Sequence, residues 1–152
     1  SAKISYNEGE PLKLNNDHAF FHNKNKFRKE LNKLQYLFKK YTGDSLVASG
    51  IRDTYLKEEI SEDFLIVLFT TNDTVKNADE IIEPKMNLAF ETGDYYLKSS
   101  TNYILLMSKD MAGLTAGINT LESVFTQVFE HYLKINDLED YVKIRPFETY
   151  SN

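Results

Sequence analysis

The apolar positions of this chain fall into two long helical stripes and several short strand-like runs. Phe27, Leu31, Leu34, Phe38 and Tyr41 lie four, three, four and three residues apart. A helix of 3.6 residues per turn places all five on one face. The spacing predicts a helix over residues 25–42, with Lys24, Lys26, Arg28, Lys29, Lys33, Lys39 and Lys40 around the rest of its surface. Gly43 follows the last periodic residue and suits a left-handed C-cap. Leu114, Ile118, Leu121, Phe125, Val128 and Tyr132 repeat in the same way. They predict a second helix over residues 110–132, with Asp110 as its N-cap.

Gly113 and Gly117 are four apart and therefore share a face of that second helix. Each costs roughly 1 kcal/mol against alanine in a helix interior. Two so close together imply a packing purpose, which is to let the helix lie low over a sheet. At Gly117 the strand beneath is expected to be the run Phe64–Phe69. Gly113, Gly117, Leu121 and Phe125 are thus the residues expected to matter most structurally.

Phe64 to Phe69 is a continuous apolar run bounded by Asp63 and Thr70. Lack of alternation suits a strand buried on both faces at the centre of a sheet. Residues 94–98 and 103–107 are strand-like on either side of Ser99-Ser100-Thr101-Asn102, which reads as a hairpin loop. Leu12 and Leu14 alternate with Lys13 in a short N-terminal strand, and residues 72–84 are polar and acidic like a loop. Residues 141–150 are strand-like until Pro146 interrupts them. The resulting order is β-α-β-β-β-α with an extended tail. It predicts an α+β domain: a mixed β-sheet with two long helices packed on one face. One domain covers residues 1–152, with its body in 1–143 and a tail in 144–152.

Charge and composition narrow the function classes. A formal net charge of −5 disfavours nucleic acid, whose phosphate backbone requires a basic face. The apolar run at Phe64 is far too short to cross a bilayer, and the second helix carries Glu122 and Glu130 but no cation on its polar face before His131. No membrane partner is expected. There is no cysteine, which excludes disulfides, thiolate zinc sites and cysteine nucleophiles within this segment. Asn72-Asp73-Thr74 matches a glycosylation acceptor.

Candidate chemistry is sparse. His18 and His22 are four apart, as two metal ligands on a helix would be, yet Phe20-Phe21 lie between them and no Glu adjoins His18. Asp79-Glu80, Glu58-Glu59 and Glu62-Asp63 are acidic clusters of the kind a glycosidase pair could draw on. None sits in a Gly-rich loop, so each reads as solvated surface. No nucleophile elbow, phosphate-binding loop or dinucleotide fingerprint appears. No metal or cofactor is expected.

Three adjoining stretches carry a resemblance. They are Gly93-Asp94-Tyr95-Tyr96-Leu97-Lys98, Tyr103-Ile104-Leu105-Leu106-Met107-Ser108, and the helix opening Ala112-Gly113-Leu114-Thr115-Ala116-Gly117-Ile118-Asn119-Thr120-Leu121. Together they resemble the end of the N-terminal domain of glycoside hydrolase family 20. That domain has an E-x-Y-x-L strand, an I-x-I-x-A strand and a G-x-x-x-G-x-x-T-L/F-x-Q helix. Gly113, Gly117, Thr120 and Leu121 match the helix pattern. Gly93-Asp94 adds spacing after Glu91, and Gln127 lies later than the family's glutamine. Family 84 enzymes and α-glucuronidases have a similar domain. Ile144-Arg145-Pro146-Phe147 looks like the segment leading into a catalytic barrel.

The resemblance implies a non-catalytic domain of a β-N-acetylhexosaminidase-type hydrolase whose partner is the catalytic barrel of the same parent chain. It implies no catalytic residue here, because the family's Asp-Glu pair belongs to the barrel. It also implies a secreted or lysosome-like compartment. A second reading is a free-standing module, binding a glycan or a protein, in which aromatics such as Tyr55, Tyr95 or Tyr96 stack on sugars. A third is a small unrelated α+β enzyme using Asp79 and Glu80.

Overall fold

A computed structural model describes residues 3–14, 19–22, 28–43, 47–50, 64–69, 90–101, 103–134 and 142–151. In chain order the elements are β1 (Ser5–Tyr6), β2 (Leu12–Leu14), β3 (Ala19–His22), α1 (Arg28–Thr42), β4 (Val47–Gly50), β5 (Phe64–Phe69), β6 (Tyr95–Ser99), β7 (Tyr103–Ser108), α2 (Met111–Lys134), β8 (Val142–Ile144) and β9 (Phe147–Ser151). Seven strands form one mixed sheet in the order β1-β9-β6-β7-β5-β3-β4, and β2 pairs with β8 in a separate ribbon. β3, β4, β5 and β7 run parallel, while β6 is antiparallel to both β7 and β9. This is the α+β class with a mixed sheet that the sequence predicts.

The unbroken apolar run of β5 sits between β3 and β7, the central position expected of it. The hairpin of β6 and β7 pairs Tyr95 with Ser108 and Ser99 with Ile104. Its register puts Tyr95, Leu97 and Ser99 on one face together with Ile104, Leu106 and Ser108. That face carries the core, in which Leu97, Ile104 and Leu106 are fully buried with Leu34 and Phe38 of α1 and Leu114, Ile118, Leu121 and Phe125 of α2. The two helices lie side by side against it. Phe38 packs edge-to-face on Phe125 and Phe129, with ring centroids 5.5 and 5.1 Å apart. The α2 stripe drifts late in the helix: Phe129 is buried where the even spacing marked Val128, which is only partly covered.

Several expectations are corrected. β3 and β4 are strands that the pattern did not show. His22 ends β3 and so belongs to a strand, where residues four apart do not form a helical ligand pair; His18 lies outside the described residues. Residues 144–152, expected as a tail, supply β9 between β1 and β6 in the main sheet. Pro146 does interrupt the strand-like stretch, between β8 and β9. It marks the crossing from the small ribbon into the large sheet, and its carbonyl accepts a hydrogen bond from the Asn7 amide at 3.0 Å. Tyr95 and Tyr96 are only 2% and 3% exposed and cannot stack on a sugar from solvent. Tyr55, Asp79-Glu80, Glu58-Glu59, Glu62-Asp63 and Asn72 lie outside the described residues.

Candidate functional site

The junction of the β6–β7 hairpin with the start of α2 gathers the motif that carries the family resemblance. Glu91 to Asp94 forms a tight turn closed by the Asp94 amide donating to the Glu91 carbonyl at 3.1 Å. Gly93 takes φ 87° at the third position, where a side chain would be strained. The Asp94 carboxylate accepts from the Glu91 amide at 2.8 Å. Asp110 then ties this turn to the helix. Its Oδ1 accepts from the Gly113 amide at 2.7 Å as an N-cap, and its Oδ2 accepts from the Gly93 amide at 3.1 Å.

Gly113 and Gly117 are both buried, and each is needed for close approach. A Cβ on Gly113 would overlap the backbone carbonyl oxygen of Asp94 and come within 3.0 Å of its carbon and 3.1 Å of Ser108 Cβ. A Cβ on Gly117 would strike Leu106, with Cδ2 at 3.2 Å and Cγ at 3.3 Å beyond the nearest methyl. The strand beneath Gly117 is therefore β7, not the neighbouring Phe64–Phe69 run. Leu121 and Phe125 continue the same face into the core and are fully buried. The pattern of two glycines foretells close contact but not its partners, which hairpin register decides.

The difference between the partners gives a test. Leu106 presents the movable end of a side chain, so Gly117→Ala should be absorbed by a rotamer change and offset by the roughly 1 kcal/mol gain in helix propensity. Gly117→Leu has no such escape and should cost roughly 1–3 kcal/mol or more. Urea melts of the two variants check this. A Gly117→Leu protein as stable as the parent would remove the close contact.

Two further carboxylates are held by phenols. Tyr96 donates to Glu148, and Tyr41 donates to Glu130 while stacking on Phe129 at 5.0 Å. The bond to Glu130 holds the Tyr41 phenol above its ordinary pKa, and burial adds to this. Burial also raises Tyr150, reinforced by the charges of Asp94 and Glu91. Tyr95 shares a 2.6 Å hydrogen bond with Thr120 of α2, fastening sheet to helix. Among the described residues no cluster of three His, Asp or Glu could hold a metal ion, and no helix is long and apolar enough to cross a membrane.

A second feature lies on the outer side of the helix pair. An open groove of about 610 Å³ runs between α1 and α2, lined by Lys29, Asn32, Lys33, Tyr36 and Lys40 from one wall and Glu122 and Thr126 from the other. Tyr36 is 71% exposed, the most exposed large apolar side chain among the described residues.

No family model and no curated protein sequence matches the chain. Solved structures do. The family 20 exo-β-N-acetylglucosaminidase of Vibrio harveyi, solved with N-acetylglucosamine, superposes with a TM-score of 0.60 at 10% identity over 99% of this chain. The family 20 β-N-acetylhexosaminidase of Streptomyces coelicolor A3(2) gives 0.59 at 12% identity over 97%. The family 84 protein CpGH84D gives 0.59 at 15% identity over 96%. The fold is that of one part of these hydrolases. This chain spans 18%, 24% and 22% of their respective lengths. At such identities the likeness is one of fold.

Proposed function

We propose that this chain is the non-catalytic domain preceding the catalytic barrel of a β-N-acetylhexosaminidase-like glycoside hydrolase, where it packs against the barrel and stabilises it. The observation that carries the reading is coverage: nearly the whole chain superposes on about a fifth of each hydrolase. The engagement of Asp94, Asp110, Glu130 and Glu148 within the fold supports it. A glycosidase needs two carboxyl groups facing one sugar across a cavity. Here Asp94 closes a turn, Asp110 caps a helix, and Glu130 and Glu148 accept from phenols. Each is occupied in holding the fold.

The purified chain should therefore show no turnover of a chromogenic N-acetylglucosaminide. Hydrolysis above background that disappears in Asp79→Asn or Glu80→Gln would overturn the reading in favour of an independent enzyme. Placement before a barrel is tested by reading the parent gene past Asn152. Barrel sequence opening on an Arg-Gly strand supports it, and an immediate stop codon sinks it. The alternative, a free-standing binding module on the same fold, draws its support from the groove beside Tyr36.

A further inference from the structure

The groove between the helices has a composition that the domain reading does not explain. Helix α1 carries Arg28, Lys29, Lys33, Lys39 and Lys40 against the single acid Glu30, in a chain whose net charge is −5. Lys29, Lys33, Tyr36 and Lys40 are spaced four, three and four residues apart, so they form one stripe on α1. Leu34 and Phe38, which are fully buried, mark the opposite side of the helix. From Lys29 to Lys40 the stripe extends about 16 Å along the helix axis. Among the described residues none of its lysines forms an ion pair. Lys33 makes a long hydrogen bond of 3.4 Å to Asn119, and the Lys40 ammonium lies 5.2 Å from the Tyr41 ring centroid.

From this arrangement we propose that the groove binds an acidic oligosaccharide, one bearing carboxylate or sulfate groups spaced along a run of sugars. Three lysines in a row supply separated cations for separated anions. The exposed Tyr36 ring offers a flat apolar platform for the axial C–H face of a pyranose. Sugar hydroxyls both donate and accept, and the groove has groups for both: Asn32 can do either, and Glu122 accepts from the α2 wall. Oligoglutamate matches the cations but offers no ring face to lay on Tyr36, which sets it apart from a glycan. A nucleic acid concentrates its charge far more densely, and the acidic remainder of this chain repels it. A sparsely charged glycan meets the local cations with less of that repulsion, since salt screens interactions between exposed charges beyond about 8–10 Å.

The proposal goes beyond the domain reading and does not rest on it, because the groove can bind whether or not a barrel follows. The test uses the 152-residue chain and four probes of similar length: an oligogalacturonate, a heparin-derived oligosaccharide, a neutral chito-oligosaccharide and oligoglutamate. Titration calorimetry at low salt should show saturable binding of at least one of the two acidic glycans, weakened by added salt. Tyr36→Ala should weaken it about tenfold, the loss of one ring contact. Tyr36→Phe should retain it, since the platform survives. Lys33→Gln and Lys40→Gln should each weaken it about three- to tenfold and flatten the salt dependence. All three positions face solvent, and unchanged thermal melts establish that the variants fold. Equal binding of oligoglutamate or of the neutral probe would overturn the proposal. So would absence of binding to both acidic glycans, or affinity indifferent to Tyr36→Ala.

Discussion

Gly113→Ala destabilises the domain although it replaces glycine by the best helix former. Helix propensity alone favours the alanine by roughly 1 kcal/mol. The added methyl, however, meets the Asp94 carbonyl, which is main chain and cannot rotate away. The first turn of α2 must lift off the hairpin, and the Asp110 cap that spans Gly93 and Gly113 opens with it. Overpacking of this kind costs roughly 1–3 kcal/mol or more and loss of a cap about 1 kcal/mol. With the propensity gain subtracted, the net expectation is a loss of about 1–3 kcal/mol from the roughly 5–15 kcal/mol that a domain has in hand. A thermal melt reads it, at about 2–4 °C per kcal/mol for this size. Gly117→Ala should stand near the parent in the same experiment, because its obstacle is a leucine methyl. If Gly113→Ala melts as high as Gly117→Ala, the helix start is not seated on the turn.

Phe125→Ala should be the most damaging truncation in the core. Phe125 is fully buried between α2, α1 and the sheet, and it meets Phe38 at 88° between ring planes. Large-to-small changes at such sites cost about 3–5 kcal/mol, because the neighbours collapse only partly into the cavity. A double-mutant cycle isolates the ring contact itself. Phe38→Leu and Phe125→Leu, singly and together, should reveal a coupling of about 0.5–1.5 kcal/mol. Additive effects would mean that the helices are joined by general burial and not by the paired rings. That outcome would also weaken the account of how α1 is held, since Phe38 is one of its fully buried side chains.

The long elements were legible because each repeats its period several times. Four or more apolar residues on one helical face, or six in a row in β5, leave little choice of structure. β3 and β4 were not legible for the opposite reason. Ala19-Phe20-Phe21-His22 and Val47-Ala48-Ser49-Gly50 are too short to express any period, and they become strands only through parallel pairing with distant partners. β9 was hidden by Pro146, whose missing amide reads as an end but serves as a corner. Of the candidate sites, the glycine pair announced itself by its cost in a helix. Its partners did not, since Asp94 and Leu106 are brought beneath α2 by hairpin register. The groove was overlooked as ordinary solvated charge. Its signal was present in the four-three-four spacing of Lys29, Lys33, Tyr36 and Lys40, a polar stripe as regular as the apolar one behind it.

The place of β9 has a consequence for how the molecule is made. β1, near the start of the chain, has β9 as its neighbour in the sheet, and β9 is also the outer partner of β6. On a ribosome the first strand therefore waits through more than a hundred residues before the strand that will hold it emerges. At about 5–20 residues per second this takes many seconds. In the last part of that interval, once β6 has emerged, it presents an unpaired edge, the kind of surface to which other nascent chains add. Closure of the sheet is thus a late, long-range event, and loop-closure entropy makes such events slow. Ending the 152-residue chain at residue 146 would make the interval permanent, leaving the rest of the fold beside an open strand and prone to aggregate.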